Sequence, residues 1–460
     1  MTETNNIAIL ETTLRALAES KKYVTLRDIL TTIHAADIAA IFERLQEEDL
    51  PLLFRLLPKE LAAETFVEMQ QDTQEALIRT FSDRELKQIV GELYVDDAVD
   101  IIEEMPANVV RRILEMADPE MRRSINELLR FPEDSAGSIM TTEYVALRPS
   151  VTVQQAIGYI RKVGPDKETI NSCYVLSPDR KLIGVVSIRR LLLSDDEATI
   201  EQIMDENINS VSTLTDQEEV ALQFSRYNYT ALPVVDQEHR MVGIVTFDDA
   251  MDVMEEEATE DMQIMAAMTP TDKTYLHSDV LHLFLQRVPW LLILMVSATF
   301  TGMIITGFES ALAAQAALVA FIPMLMGTGG NSASQSSVTV IRGLSLGELD
   351  FRDVGAILWK EIRISLLCGL ALGVVGFVKI LLVDKLLLGN SDITIGVTLT
   401  VSITLLLTVV AAKIIGGILP LAAKKVGLDP AVMASPFITT IVDALSLLVY
   451  FGVATCVLRL

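Results

Sequence analysis

Pro323 to Val340 reads PMLMGTGGNSASQSSVTV, and the fold turns on how this stretch is read. It lies within 32 uncharged residues between Glu309 and Arg342, enough for a helix across a hydrocarbon core about 30 Å thick. Lipid alone does not explain it. Gly327, Gly329 and Gly330 follow a proline, and then Asn331, Ser332, Ser334, Gln335, Ser336 and Ser337 crowd into two turns. Small residues let helices pack closely. Irregular or polar backbone at membrane depth is tolerated where it is buried in protein or lines a watery cavity. Glycines and serines leave these readings level, and Asn331 with Gln335, four apart on one helical face, favours a polar lumen.

Four further apolar runs surround this one: Val288–Phe308, Ile364–Val378 extending towards Val383, Ile393–Ala412, and the run between Asp429 and Arg459. Five spans are expected. Asp443 is read as the only acidic residue deep inside a run. A charge at a helix centre costs about 2.5 kcal/mol or more, so it faces a partner or a water-filled path. Ser435, Thr439, Asp443 and Ser446 recur at helical steps and make a polar stripe. Asp443 is expected to meet a permeating cation, and an ion pair with Lys413 is the bland alternative. Arg342, Arg352, Lys360 and Arg363 precede span three, and Lys424 and Lys425 precede span five. The bias of Lys and Arg towards cytoplasmic loops puts these ends inside. The expected location is the cell (inner) membrane, with the N-terminal part cytoplasmic and the C-terminus outside.

The formal net charge of -25 over 460 residues is unevenly distributed. Residues 287–460 carry 11 basic and 9 acidic groups, whereas residues 1–286 carry 26 and 53. An acidic half of this kind excludes a nucleic-acid binder, which needs a basic footprint. The N-terminus lacks the basic and apolar regions of a signal peptide. Cys173, Cys368 and Cys456 form no CxxC pair and no disulfide framework. His34, His239, His277 and His282 make no triad or HExxH motif, so an enzyme is not expected. His277 and His282 are placed near the membrane surface.

The acidic half has its own periodicities. Over 1–130, ADIAAIFERL, KELAAETFVEM, RELKQIVGEL, DDAVDIIEEM and PEMRRSINELL recur at 12- or 24-residue spacing, a pattern of short helices stacked into a superhelix. Next come two similar segments. SIMTTEYVALRPSVTVQQAI with YVLSPDRKLIGVVSIRRLL matches QIMDENINSVSTLTDQEEVA with PVVDQEHRMVGIVTFDDAM, at a period of about 60 residues. This duplicated α/β unit resembles a tandem cystathionine-β-synthase (CBS) pair. In such pairs a G-h-h-[ST]-x-x-D pattern contacts adenine nucleotide. The second repeat keeps Gly243, Thr246 and Asp249, while the first has Arg190 in place of the carboxylate. The resemblance therefore implies ATP contacts at Thr246 and Asp249, with a module that only packs as the alternative. From Asp248 to Asp261, DDAMDVMEEEATED holds eight carboxylates and no base. Such runs are ordinarily solvated faces. Apposed to VDDAVD, with Asp96 and Asp100 at i,i+4, the run would need a cation between the two faces. Hard divalent ions take oxygen ligands, and Mg²⁺ often uses only one or two carboxylates.

Over nearly its whole length the chain resembles the MgtE family of magnesium channels, through the domain order and the motifs GTGGNSASQSS, GFES, EATED and LDPAVMASPF ahead of Asp443. The implied fold is multi-domain: an all-α superhelical N domain (1–130), an α/β CBS pair (136–200 and 201–250), an acidic connecting helix (251–286) and a five-span α-helical membrane domain (287–460). The resemblance also implies a homodimer in the bilayer with one pore on its two-fold axis. Asp443 would bind a mostly hydrated Mg²⁺, with Asn331, Gln335, Ser435 and Thr439 nearby. Regulatory cation sites would involve Asp96, Asp100, Asp216, Glu218, Asp249, Asp252, Glu257, Glu260, Asp261 and Asp429. Asn228 stands where the family can have aspartate, and Ser435 replaces an asparagine near the pore entrance. Mg²⁺ would be both substrate and regulator. The competing readings are a proton-coupled transporter of Co²⁺, Ni²⁺ or Mn²⁺ and a membrane-anchored CBS sensor that transports nothing.

Overall fold

A twelve-residue period governs the first part of the chain. In the computed structural model, which describes residues 3–45, 48–271, 275 and 278–459, N-caps fall at His34, Pro58, Gln70, Ser82, Tyr94, Pro106 and Asp118. Each cap has extended ψ, between 144° and 167°, and opens a helix of eight to ten residues. Ser82 and Glu85 close a reciprocal capping box, and Asp118 accepts from the N–H groups of Glu120 and Met121. A cap of this kind contributes about 1 kcal/mol. Alternate helices stack on one another. Their apolar faces bury Ile38, Phe42, Leu53, Phe66, Leu77, Val99 and Ile125 in one core, each worth roughly 1.5–3 kcal/mol of burial.

The two α/β repeats fold alike. Strands β1 (Val145–Leu147), β2 (Ser172–Leu176) and β3 (Leu182–Ser187) form one sheet, and β4 (Val211–Ser212), β5 (Ala231–Val235) and β6 (Met241–Thr246) the other. In each, the first pairing is parallel and the second antiparallel, with a register shift at Val175/Leu176 and at Val234/Val235. The lead-in segments cross between repeats. Thr141 bridges Ile244 in β6, and Asp205 bridges Val185 in β3. A Cβ on Gly243 would lie 2.7 Å from Met140 Sδ, and one on Gly184 would lie 2.5 Å from Met204 Sδ. Each strand glycine thus makes room for the methionine that introduces the other repeat.

The chain divides into two units, Met1–Met254 and Glu255–Leu460. The helix Phe247–Met265 belongs partly to each. It starts within the stretch read as the second repeat, because Thr246 and Asp249 form its first turn. It ends at Met265, and His277 lies outside the described residues.

Among the described residues the second unit has five helices long and apolar enough to cross a membrane: span one (Val280–Gly307), span two (Ile322–Ser345), span three (Val354–Lys379, continuing as a π-helix over Ile380–Leu387), span four (Ile395–Val426) and span five (Ser435–Leu458). Span one begins before Val288, and Pro289 lies inside it. Span three begins at Val354 rather than Ile364, so Lys360, Glu361 and Arg363 are helical and not in a loop. The charges delimit the apolar run but not the helix. Spans two, four and five pack on one another, and span three packs along span four.

Candidate functional site

Span two reconciles the two readings of its glycine and serine segment. It is a continuous helix, with Pro323 in the first turn where a missing N–H costs nothing. Gly329, Gly330, Ser332, Ser336 and Ser337 are buried, whereas Asn331, Gln335 and Thr339 are exposed on another face. The buried face is a packing surface. A Cβ on Gly330 would lie 2.8 Å from Thr439 Cγ2 of span five, and one on Gly329 would lie 2.6 Å from Ser446 Oγ. A Cβ on Gly416 of span four would lie 2.4 Å from the carbonyl oxygen of Ala333. The exposed amide face is unsuited to lipid.

Asp443 lies on span five, one residue beyond Val442, which packs with Ala333, Ala412 and Ile438. It is part-exposed, and its Oδ1 is buried without a hydrogen-bond partner. Of the expected stripe, Ser446 is buried and donates to Val442 O at 2.6 Å, so its hydroxyl is used within the helix. Thr439 is half-buried beside Gly330, and Ser435 opens the helix.

Two expectations about this carboxylate are corrected. The ammonium of Lys413 does not pair with Asp443; it donates to Ser336 Oγ at 3.3 Å. Nor does Asp443 stand alone among acids within the membrane-length helices, because Glu361 lies inside span three, 8% exposed, and accepts from Ser336 Oγ at 2.6 Å. Glu361 escaped notice because Lys360 and Arg363 made its surroundings read as a basic loop.

In the first unit, an acidic cluster joins the helix Val95–Glu104 to the CBS pair. Asp96, 5% exposed, has an Oδ1 without a partner, as does Glu168 Oε2. Burial, and then the charge of Asp249, hold the Asp96 carboxyl well above its ordinary range. The same two causes push Asp97 up to about 7 and Glu168 up to about 8. Asp249 is raised to about 6 by burial, against hydrogen bonds from the hydroxyl and N–H of Thr246 that favour its ionised form. Glu143 accepts from Thr141 Oγ1 at 2.6 Å and from Val95 N–H at 3.4 Å. Glu143 and Tyr94 also line a cavity of about 820 Å³ whose walls include Glu60, Glu64, Glu92 and Asp118. Mutually raised carboxyls, with no basic partner among the described residues, are hard oxygen donors held against their own repulsion, a set suited to a divalent cation. Among the described residues no three His, Cys, Asp or Glu side chains close on one point. A Mg²⁺ ion that retains its water does not require that they do.

The structure therefore brings Asp96 and Asp249 together, with Asp97, Glu143 and Glu168 beside them. No local pattern marks Glu168, whose place depends on docking across the repeat. Asp252 faces Glu68, whose carboxyl is raised by burial and then by Asp252 and Asp248. In the second unit, Ser345 Oγ donates to Asp261 Oδ2 at 3.2 Å. Burial, followed by Asp429, raises the Asp261 carboxyl. Asp100, Asp216 and Glu260 are exposed, and Glu218 and Glu257 are part-buried. Asp216 caps the helix Gln217–Tyr227 through the N–H of Glu218. Asn228 ends that helix at φ 54°, a left-handed position that asparagine tolerates better than most residues.

These features define a polytopic membrane protein with an acidic helical domain seated on a CBS pair. The sequence matches the family model of the MgtE divalent cation transporter over residues 322–453, that of the MgtE intracellular N domain over 33–134, and that of the CBS domain over 136–196 and 200–256. It is 38% identical to the magnesium transporter MgtE of Thermus thermophilus, covering 94% of this chain and 95% of that one. It is 31% identical to the MgtE of Bacillus subtilis, covering 93% of each. A solved cytosolic domain of the Mg²⁺ channel MgtE, in complex with ATP, aligns with a TM-score of 0.51 at 37% identity, over 53% of this chain and 99% of that one. The chain belongs to the MgtE family of divalent cation transporters.

Proposed function

We propose that this protein admits Mg²⁺ across the cell (inner) membrane through a homodimeric pore, and that cytoplasmic Mg²⁺ closes it. Asp443 carries the reading: it is an intramembrane carboxylate with an unpartnered oxygen, on a helix packed against span two. A charge so placed is expected to serve a cation path. The exposed Asn331, Gln335 and Thr339 face supports a second copy across the pore, since an amide stripe gains nothing from lipid. Asp443 would hold a hydrated ion, with Asn331, Gln335, Ser435 and Thr439 around it.

In the acidic half, Asp96 and Asp249, joined by Asp97 and Glu168, are the regulatory cation site best supported by geometry. Asp252 beside Glu68, and Asp261 beside Asp429, are secondary sites. Asp100, Asp216, Glu218, Glu257 and Glu260 would contribute from the surrounding surface. An ion bound there favours the compact, closed state because that state binds it better. Thr246 and Asp249 are the groups offered to an adenine nucleotide at the second repeat, and Asp249 is shared with the cation cluster. The basic ends of spans two to five support a cytoplasmic acidic half and an outer C-terminus.

The test is uptake by reconstituted full-length protein across Mg²⁺, Co²⁺, Ni²⁺, Mn²⁺ and Ca²⁺, comparing wild type with Asp443→Ala. Loss of Mg²⁺ uptake in a correctly inserted Asp443→Ala protein is expected. Normal uptake by that variant would remove Asp443 from the pore.

A further inference from the structure

Three side chains from three different spans meet in the second unit at a point the transport reading does not use. Lys413 of span four, Ser336 of span two and Glu361 of span three are 5%, 2% and 8% exposed. The serine hydroxyl is the hub: it accepts from Lys413 Nζ at 3.3 Å and donates to Glu361 Oε2 at 2.6 Å. A hydroxyl has one proton to give and lone pairs to receive, so a single serine can serve an ammonium and a carboxylate together. Span four is shaped for this meeting. A Cβ on Gly416 would collide with the Ala333 carbonyl of span two, and one on Gly417 would touch Glu361 Cγ at 3.4 Å. The two adjacent glycines open one slot for the backbone of span two and another for the side chain of Glu361.

The ammonium and the carboxylate meet only through the serine, and even a direct buried ion pair is a poor source of stability, because desolvating two charges offsets most of their attraction. An intramembrane charge is costly enough that it commonly marks function. What this pair has that a leucine pair would lack is direction. Ser336 follows Gln335 by one residue, so fixing Ser336 against spans three and four fixes where Gln335 and Asn331 point. A second tie works alongside it: Ser337 Oγ donates to Met433 O at 3.0 Å, in the turn that leads into span five. Span two is therefore held in rotation by adjacent hydroxyls, one set between an ammonium and a carboxylate and one on the approach to Asp443. A turn of about 20° would carry a side-chain tip some 5 Å from the helix axis through roughly 2 Å. That is enough to spoil a site whose groups must be placed within about 0.5 Å.

We propose that Lys413, Ser336 and Glu361 are positioning residues for ion selection. The triad, neutral overall, sets the rotation of span two and so the aim of Asn331 and Gln335 at the permeating cation. This rests on the pore reading of Asp443. The triad touches no ion and is not itself a ligand site.

The test uses full-length protein in liposomes loaded with a divalent-sensitive dye, with uptake of Mg²⁺ and of Ca²⁺ measured on the same preparation. Ser336→Ala removes the hub and leaves both charges. Glu361→Gln combined with Lys413→Met removes both charges together and leaves no orphan. Thermal unfolding and elution in detergent report assembly, and Asp443→Ala serves as the pore control. The expected result is that at least one of these two triad variants assembles and unfolds like wild type, yet its ratio of Mg²⁺ to Ca²⁺ uptake falls by about threefold or more. A merely structural pair would move unfolding temperature or yield and leave that ratio alone. Wild-type ratios in every assembled triad variant, with Asp443→Ala inactive, would overturn the proposal and spare the pore reading. Failure of both triad variants to assemble would overturn it as well, since the triad would then be structural. Wild-type uptake by Asp443→Ala would overturn both.

Discussion

Glu168→Gln removes one of the acidic groups that converge on the helix Val95–Glu104, and the size of its effect follows from the burial of that group. The Glu168 carboxyl is pushed from an ordinary 4.5 up to about 8 by burial and then by Asp249 and Asp97. At about pH 7.5 the folded protein must keep a proton that water would remove, at a cost of up to about 4 kcal/mol. The residue is only part-buried, so screening and relaxation reduce this to about 1–2 kcal/mol. Glutamine keeps the shape and has no charge to desolvate. Without Mg²⁺, the compact form should gain that amount, roughly a 5–30-fold shift in its equilibrium. The assay is limited trypsin digestion of full-length protein in detergent with chelator, followed at exposed Arg130. That residue lies five positions before Ser135, where the segment 135–140 begins, with Ala136 and Met140 buried. The variant should be cut more slowly than wild type and unfold a few degrees higher. The sign with pH is also fixed. A raised carboxyl contributes stability that is complete below its unfolded value, near 4.5, and lost as pH rises through about 8. Wild type in chelator should therefore lose protection between about pH 6 and pH 8, and Glu168→Gln should lose less. Faster cleavage of the variant in chelator would refute the reasoning, because the carboxylate would then be held by favourable contacts.

Other substitutions test the packing. Gly416→Ala would press a methyl against the Ala333 carbonyl, 2.4 Å away with no flexible side chain to yield. It should cost about 1–3 kcal/mol, read as a lower unfolding temperature and reduced Mg²⁺ uptake, while Gly327→Ala, with nothing within 4 Å in the same chain, should leave the unfolding temperature unchanged. Asn228→Ala should destabilise the second repeat by about 1 kcal/mol because its φ is 54°, and Asn228→Gly should not, as chemical denaturation would register. The Cys173 thiol is buried and pushed up to about 12. It should resist maleimide near pH 8 until the protein unfolds, as mass spectrometry would show.

Local periodicity made much of the architecture legible. Short helices announce themselves by a twelve-residue recurrence because each needs its own apolar stripe and its own start, at Pro58, Gln70, Ser82 and onward. The duplicated α/β unit was visible because Gly184 and Gly243 sit at equivalent registers opposite Val175 and Val234. Charge-free runs found the spans but misplaced the start of span three, since helix geometry continues through Lys360 and Glu361 once the Ser336 hydroxyl, itself held by Lys413, donates to the carboxylate. Asp96, Asp249 and Asp443 could be named from motifs. Glu168 and Glu361 could not, because a carboxylate in a loop or beside two bases has no signature until another element covers it. The meeting of Asp261 with Asp429, 168 residues apart, came from resemblance to relatives and not from any pattern in this chain.

The exchange of lead-ins between the CBS repeats has a consequence for how this region could be cut, moved or evolved. Met140 fills the space over Gly243, and Met204 fills the space over Gly184. Neither half owns the plug for its own sheet. A fragment ending near residue 200 would expose Gly184 to water and leave Met140 without a seat, so one repeat expressed alone should aggregate where the pair stays soluble. A mutation loosening one glycine contact would be felt first in the other repeat's sheet. Heredity and engineering must therefore handle the pair as one indivisible part.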